Sequence, residues 1–190
     1  MVRRAHAATA AAACALLLAA SSAFAGETSY DFSTVNGAVT PATIGIATFT
    51  SPSDPGAFTF GPNAGLYTDL GPYVLSSAGV PATLNIAFSG AQDGVSFDFA
   101  LGDFFGLGGS DILTVTTNTG FSDTVAASLV GSDFFPEGSV NLTDAGYFTS
   151  ISISSAYPIV IADLTSVPEP ASIILLTAGL LGLGAVRRRV

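Results

Sequence analysis

Short runs in which hydrophobic and polar residues alternate occupy most of the chain between residues 30 and 166. Side chains of a β-strand point alternately to its two faces, so alternation with a period of two is typical of strands that are buried on one side. The clearest runs are 83–89 (TLNIAFS), 94–102 (GVSFDFALG), 111–117 (DILTVTT) and 148–155 (FTSISISS). Further strands are predicted at 30–34, 44–50, 57–60, 73–76 and 122–129. Run 158–166 (PIVIADLTS) is more continuously hydrophobic, which predicts a buried last strand.

No run before residue 171 has a clear helical period, although 122–129 leaves a helix open as an alternative. Gly, Pro, Asn and Asp separate the runs, as they do between strands of an all-β domain. About eight to ten short strands at regular spacing indicate an antiparallel β-sandwich or jelly roll. Residues 26–166 are enough for one such domain, which would bury roughly two-thirds of its unfolded surface.

Residues 1–25 contain the parts of a secretory signal peptide in the right order. Arg3 and Arg4 give a positive start, 7–20 is a hydrophobic run, and Ala23 and Ala25 form a small-x-small cleavage site. The alternative, an N-terminal membrane anchor, fits less well because the run is short and rich in alanine. We therefore expect the Sec machinery to export the chain and the mature protein to begin at Gly26.

The other end of the chain, 167–190, has the pattern of a membrane stop. Residues 171–186 carry no charge, and about 1.5 Å of rise per residue gives roughly 24 Å, just enough to span a bilayer core with the flanking residues. The basic residues that follow are Arg187, Arg188 and Arg189. By the positive-inside rule these arginines stay in the cytoplasm, so this segment is predicted to be a transmembrane helix with the rest of the chain outside the inner membrane.

Val167, Pro168, Glu169 and Pro170 come directly before this hydrophobic segment. A proline lacks the N–H group that a helix or sheet interior needs, so the motif is expected to be an extended strip that an enzyme can reach. The motif, the hydrophobic segment and the arginines together resemble the PEP-CTERM sorting signal of exopolysaccharide-producing Gram-negative bacteria. The resemblance implies an exosortase-like sorting enzyme as a partner and a destination at the cell surface or in the extracellular matrix of a biofilm.

The composition of residues 26–166 excludes several classes of function. This segment contains no Lys, Arg, His, Cys, Met or Trp. A Ser-His-Asp triad, a Cys-His pair, a zinc site with nitrogen or sulfur ligands and a disulfide are therefore impossible. Without Lys or Arg there is no phosphate clamp, and no binding to nucleic acid is expected.

Carboxylates are the only ionisable side chains left there besides tyrosine. Thirteen of the fourteen acidic residues lie in this segment with no base to pair with them. Such a surface repels anionic polymers and attracts Ca²⁺, which prefers oxygen ligands. No cofactor is required on this interpretation, and Ca²⁺ is the ion that we expect to stabilise the domain.

Two sets of carboxylates are candidate Ca²⁺ ligands. Asp31 and Asp163 lie on the predicted first and last strands, which are neighbours in many jelly rolls, and Asp163 interrupts a hydrophobic strand and is expected to be partly buried. Two adjacent carboxylates need a proton or a cation between them. The alternative set is Asp98, Asp103 and Asp111, for which an ordinary solvated face is the competing interpretation.

Two functional classes remain open. The first is a non-enzymatic structural or adhesive module of the surface or exopolysaccharide matrix, which shades into a carbohydrate-binding module. The second is a glycoside hydrolase, because two carboxyl groups suffice for that chemistry. The absence of Trp, Arg, His and Lys, which usually hold sugars in such clefts, favours the first. The motif Asp-Phe-Phe at 103–105 and 133–135 offers aromatic rings that either stack on sugars or anchor loops.

The sorting interpretation is tested by replacing Pro168, Glu169 and Pro170 with alanine. If the tail is a processed signal, the wild-type protein should end near the motif, whereas the variant should accumulate in the inner membrane at full length. Intact mass spectrometry of both proteins from a producing cell provides the measurement. A wild-type protein that keeps its tail would instead indicate a simple single-pass anchor.

Overall fold

A computed structural model describes residues 26–39, 41–52, 57–79, 81–103, 111–129 and 134–170. The predicted signal peptide with Ala23 and Ala25, the hydrophobic run from 171 and the arginines at 187–189 lie outside the described residues. Contacts group Glu27–Pro168 into one compact unit. Across the described residues, no helix has both the length and the hydrophobicity needed to cross a membrane.

The compact unit is all-β, and its strands form one antiparallel sheet. The twelve strands are β1 (Thr28–Ser29), β2 (Gly37–Ala38), β3 (Ala42–Ile44), β4 (Ala47–Thr50), β5 (Phe58–Pro62), β6 (Tyr73–Ser77), β7 (Ala82–Leu101), β8 (Ile112–Thr117), β9 (Ser122–Ala126), β10 (Glu137–Leu142), β11 (Phe148–Ser155) and β12 (Ile159–Pro168). A 3-10 turn, Phe32–Thr34, follows β1. Among the described residues there is no α-helix.

The 20-residue strand β7 connects the two halves of the sheet. Its first half pairs with β4 and β11, and its second half pairs with β10 and β12. The change of partners falls at Gln92, which pairs with Phe148 of β11 and with Pro168 of β12. Gln92 is fully buried, and glycines at 90 and 94 flank it. Glycines within a strand often mark such changes of direction.

Both halves of β7 turn their hydrophobic side chains into one core. Leu84, Ile86 and Phe88 come from the first half, and Phe97 and Phe99 come from the second. The partner strands fill the rest of this cluster with side chains that include Phe49, Phe58, Phe60, Leu75, Val115, Ile151, Ile153, Ile159 and Ile161. The alternation in the sequence therefore corresponds to one buried face and one outer face of the sheet, which is common in antiparallel sheets.

The predicted all-β antiparallel class is confirmed, with several differences of detail. Runs 83–89 and 94–102 belong to one strand, Ala82–Leu101, and Gln92 between them pairs with both β11 and β12 where the partners change. Run 44–50 is the second part of a hairpin that begins with β3 at Ala42, and Gly45 in its turn has a positive φ of 57°. Strand β10 was not predicted, because Pro136 and Gly138 obscure its alternation.

The prediction of a strand at 30–34 is wrong. The Asp31 carboxylate accepts a hydrogen bond from the backbone N–H of Ser33 at 2.9 Å, which caps the 3-10 turn Phe32–Thr34 and ends the extended conformation. The last strand begins at Ile159, one residue after the predicted start, and continues through Val167 and Pro168, which pair with Gly94 and Gln92, so the expectation that the whole sorting motif stays out of the sheet is wrong. The missing N–H of Pro168 is tolerated because the strand ends at this residue.

Candidate functional site

The connection between β5 and β6, residues 63–72, is a compact loop whose ends meet. The N–H of Asn63 donates to the carbonyl of Pro72 at 2.8 Å. The Asn63 amide group donates to three carbonyls across the loop, those of Tyr67, Leu70 and Gly71, at 3.0 to 3.3 Å. Such closed surface loops are packed by their own side chains and often carry function.

A buried carboxylate ties this loop to the sheet. Glu137, the first residue of β10, is only 4% exposed, and its two oxygens each accept a backbone N–H at 2.8 Å, from Thr68 and from Asp69. Hydrogen bonds to an ionised acceptor are stronger than neutral ones, and they compensate for the burial of the charge. Leu70 then packs on the outer face of the sheet, in a small cluster with Val74, Ala100, Val160 and Ala162.

The loop and the sheet enclose an open groove of about 310 Å³ on this outer face. Its lining consists of carboxylates, serines and backbone with one hydrophobic residue: Asp69, Leu70, Asp98, Ser128, Glu137, Gly138 and Ser139. Since Glu137 is occupied by the two backbone N–H groups, Asp69 and Asp98 are the carboxylates left to meet a ligand. The outer groove is the name used below for this site.

Asp98 lies in the middle of the sheet, where it pairs with Ser139 of β10 and Ala162 of β12. Partial burial raises the pKa of Asp98, and the negative charges of Asp163 and Asp69 raise it further. All three contributions oppose the ionised form. The outer groove therefore favours a bound proton or a ligand that supplies hydrogen-bond donors or positive charge.

An aromatic pair joins the loop to the segment that precedes β10. Tyr67 and Phe135 are in ring contact with centroids 5.4 Å apart. Burial, and after it the charge of Glu137, raises the pKa of Tyr67. Phe134, beside Phe135 in sequence, is 50% exposed. Of the motif at 133–135, one ring therefore anchors the loop and the other is exposed, and the stacking of a ring on a sugar stays a prediction.

Asp31 and Asp163 line one small pocket, as the sequence suggested. The pocket has a volume of about 120 Å³ and is bounded also by Tyr30, Phe32, Pro72 and Tyr73. Its origin is the antiparallel pairing of β1 with β12, in which Thr28 pairs with Ser166 and Ser29 with Thr165. The N–H of Tyr30 continues this pairing by donating to the carbonyl of Leu164 at 3.0 Å.

Asp163 is exposed, so the expectation that it is partly buried is wrong. The pairing of β12 with β7 is irregular between Ala162 and Thr165, and Asp163 has a left-handed φ of 51° there. A bulge of this kind redirects the side chain away from the sheet. The Asp163 carboxylate accepts the N–H of Gly71 at 3.1 Å, and a Cβ at position 71 would lie 2.7 Å from a carboxylate oxygen of Asp163, so glycine allows this close approach without a shift of Asp163.

The alternative set, Asp98, Asp103 and Asp111, is not brought together as one cluster. Asp98 lies near Asp163 and Asp69 instead. Asp103 is buried and neighbours Asp111, and burial followed by the Asp103 carboxyl raises the pKa of Asp111. In the part of the chain that the structure describes, no three His, Cys, Asp or Glu side chains are placed to hold a metal ion together. Ca²⁺ binding therefore stays a prediction.

Inspection of the sequence did not find Asp69 or Glu137. Asp69 lies in a loop without periodicity, and Glu137 starts the strand that was not predicted. Both residues acquire a role only when residues 63–72 fold over β10. The one available signal was that an acidic residue directly precedes a short alternating run, which is too common to single out Glu137.

Comparison with known proteins bears on the C-terminal end of the chain. A model of the PEP-CTERM protein-sorting motif matches residues 166–189 and confirms the resemblance of this end to that signal. The motif implies export, a C-terminal sorting tail and processing by exosortase-type machinery. No curated protein matches the chain significantly in sequence.

Several solved structures are similar in shape. The K2 cleaved adhesin domain of Lys-gingipain is 13% identical, with a TM-score of 0.47 over 74% of this chain and 99% of that domain. The K1 domain from Porphyromonas gingivalis W83 is 10% identical, with a TM-score of 0.46 over 76% and 99%. The family 32 carbohydrate-binding module of C. perfringens NanJ is 16% identical, with a TM-score of 0.35 over 74% and 98%. Scores in this range transfer no function to the chain.

The first prediction from this site concerns Asp98. Its pKa in the folded state is above the ordinary value of 3.8, so the folded state binds more protons between the two values and unfolding free energy falls as pH rises through that interval. Asp98→Asn removes the penalty, so its melting temperature should exceed that of the wild type at pH 7. The excess should vanish below pH 3.8, where both states are protonated.

Differential scanning calorimetry across pH measures this difference. Asp144→Asn is a matched control, because Asp144 is exposed in the turn after β10 and lies away from the outer groove. An equal gain in both variants would mean that net charge alone is responsible.

The second prediction concerns Ca²⁺ and the pocket between Asp31 and Asp163. One site at a hundred times its dissociation constant adds about 2.7 kcal/mol to the unfolding free energy, which raises the melting temperature of such a domain by several degrees. Asp163→Asn keeps an acceptor for the N–H of Gly71 but removes the charge, and it should abolish the increment.

Na⁺ at matched ionic strength controls for general screening of the acidic surface. Equal shifts with both cations would leave no specific site. A Ca²⁺ increment that survives Asp163→Asn would place the ion elsewhere, with Asp103 and Asp111 the next pair to substitute.

Proposed function

We propose that this chain is an exported, non-enzymatic β-sheet module of the cell surface or extracellular matrix, delivered through its C-terminal sorting tail. In this proposal the inner membrane holds the tail until exosortase-like machinery processes it, and the body then serves as an adhesive module. The sorting motif at 166–189 supports the route, and the outer groove supports the adhesive role.

The observation that carries the adhesive role is the set of acceptors in the outer groove. Asp69, Asp98, Ser128 and Ser139 line an open surface. Glu137 in the same lining acts on the pKa of Tyr67, whose ring contacts Phe135. Hydroxyl groups of a polysaccharide are hydrogen-bond donors, and ionised acceptors form the stronger hydrogen bonds with them. Exposed rings such as Phe134 offer a hydrophobic face to the C–H side of a sugar.

Charge narrows the class of ligand. The body carries no basic side chain, so an anionic polymer would gain no ion pair with a side chain and would meet thirteen carboxylates. The groove is therefore suited to neutral exopolysaccharide or to one that carries amino groups. Because Asp98 already lies beside two other carboxylates, donors from a ligand also relieve the cost of its ionised form.

A specific experiment is to measure binding of neutral, amino-containing and anionic polysaccharides by isothermal titration calorimetry, with Asp69→Asn as the test variant. The side chain of Asp69 lies at the groove, whereas its backbone N–H holds Glu137, so the substitution leaves the loop contact in place. Loss of a charged hydrogen bond should weaken binding roughly tenfold.

Asp144→Asn, at the far end of β10, should bind like the wild type. Equal binding by Asp69→Asn and the wild type would contradict a role for the groove. Release of new reducing ends from the polysaccharide would instead assign the carboxylates to glycoside hydrolysis, in which one carboxyl with a raised pKa acts as the acid.

A further inference from the structure

The last strand of the body continues into the sorting motif without a linker. In β12, Ser166 pairs with Val95, Val167 with Gly94 and Pro168 with Gln92. Ser166 is paired on its other side as well, with Thr28 of β1. The first half of the motif is therefore part of the folded sheet, and Pro168 is the last residue of the compact unit Glu27–Pro168.

The end of this strand is held by its side chains as well as by its backbone. Ser166 is fully buried, and its hydroxyl group is 2.8 Å from the hydroxyl group of Tyr30. Pro168 pairs with Gln92, the fully buried residue at which β7 changes partners. Removing residues 166–168 from the sheet would break the contact between Tyr30 and Ser166 and would expose the buried Gln92.

A protease or transpeptidase binds its substrate as an unpaired extended strand, so a paired strand must open before it can be cut. The cost of that opening is low at frayed ends and high within a strand that is paired along its length. Thr165, Ser166, Val167 and Pro168 each have a pairing partner in β7, and Ser166 is also paired with β1 and fully buried, so the bonds up to the one between Val167 and Pro168 cost more to open than the bonds beyond Pro168. The first peptide bond beyond the paired residues joins Pro168 to Glu169.

We propose that the folded body sets the processing position, so that the sorting machinery cuts the Pro168–Glu169 bond or a bond closer to the C-terminus, and the mature body keeps Pro168. This inference rests on the proposed processing of the tail. Hydrolysis adds one water, leaving a carboxylate on the body and an amine on the released tail. Transfer to an amine acceptor releases the same tail amine and leaves an amide on the body.

The first test measures protection by the sheet and needs no sorting enzyme. The full-length protein in non-ionic detergent is digested briefly with proteinase K, and the surviving body is weighed by intact mass spectrometry. Its C-terminal residue should be Pro168 or a later one. A surviving body that ends at Thr165, Ser166 or Val167 overturns the proposal.

A pair of variants tests whether the strand end controls the cut. Tyr30→Phe removes the hydroxyl contact with Ser166 and should increase cleavage before Pro168 severalfold, because the opening cost falls by about one hydrogen bond. Tyr73→Phe is the control, because Tyr73 is 43% exposed and belongs to β6. Equal cleavage before Pro168 in the two variants would contradict the proposal that the end of β12 controls the position of the cut.

The second test reads the mature protein recovered from cells that export it. A body ending at Pro168 or later agrees with the proposal, and one ending earlier overturns it. A full-length mass would overturn the proposed processing and this cleavage position together. The proteinase K result would still decide whether the sheet protects residues 166–168, so the two failures are distinguishable.

Discussion

The constraint on which the rest of this structure depends is that no side chain of the exported body carries a positive charge. Every carboxylate that leaves water must be stabilised by a backbone N–H, a hydroxyl group, a proton or a bound cation, since no ion pair is available. Glu137 shows the consequence most clearly, because its two oxygens take the N–H groups of Thr68 and Asp69. The exposed carboxylates of Asp163 and Asp31 also accept backbone N–H groups, those of Gly71 and Ser33.

These backbone contacts create the site as well as stabilise it. The contacts from Glu137 and Asp163 hold residues 63–72 on the outer face of the sheet, which places Asp69 beside Asp98. The pocket of Asp31 and Asp163 and the outer groove are linked electrostatically, because Asp163 acts on the pKa of Asp98. The two sets of candidate Ca²⁺ ligands therefore contribute one residue each, Asp163 and Asp98, to a single acidic region.

A different requirement applies at the C-terminal end of the chain, where the sorting motif has to be recognised by other machinery. In β12 the first two residues of the sorting motif, Val167 and Pro168, are extended but paired within the sheet. The last strand of the body therefore includes the start of the motif, up to Pro168. Proline suits this position, since a strand that ends there needs no further N–H donor.

The all-β class, the position of β11 and β8, the acidic character and the sorting motif could be predicted from the sequence, because alternation, composition and terminal motifs are local signals. The neighbourhood of Asp31 and Asp163 was also predictable, from the general pairing of first and last strands. The 3-10 turn at Phe32–Thr34 and the exposure of Asp163 were not, because a cap and a bulge depend on individual backbone angles. Only the tertiary structure decided that Glu137 and Asp69 belong to the site. Their proximity comes from a loop folding over a distant strand, and nothing within either segment of sequence records that contact.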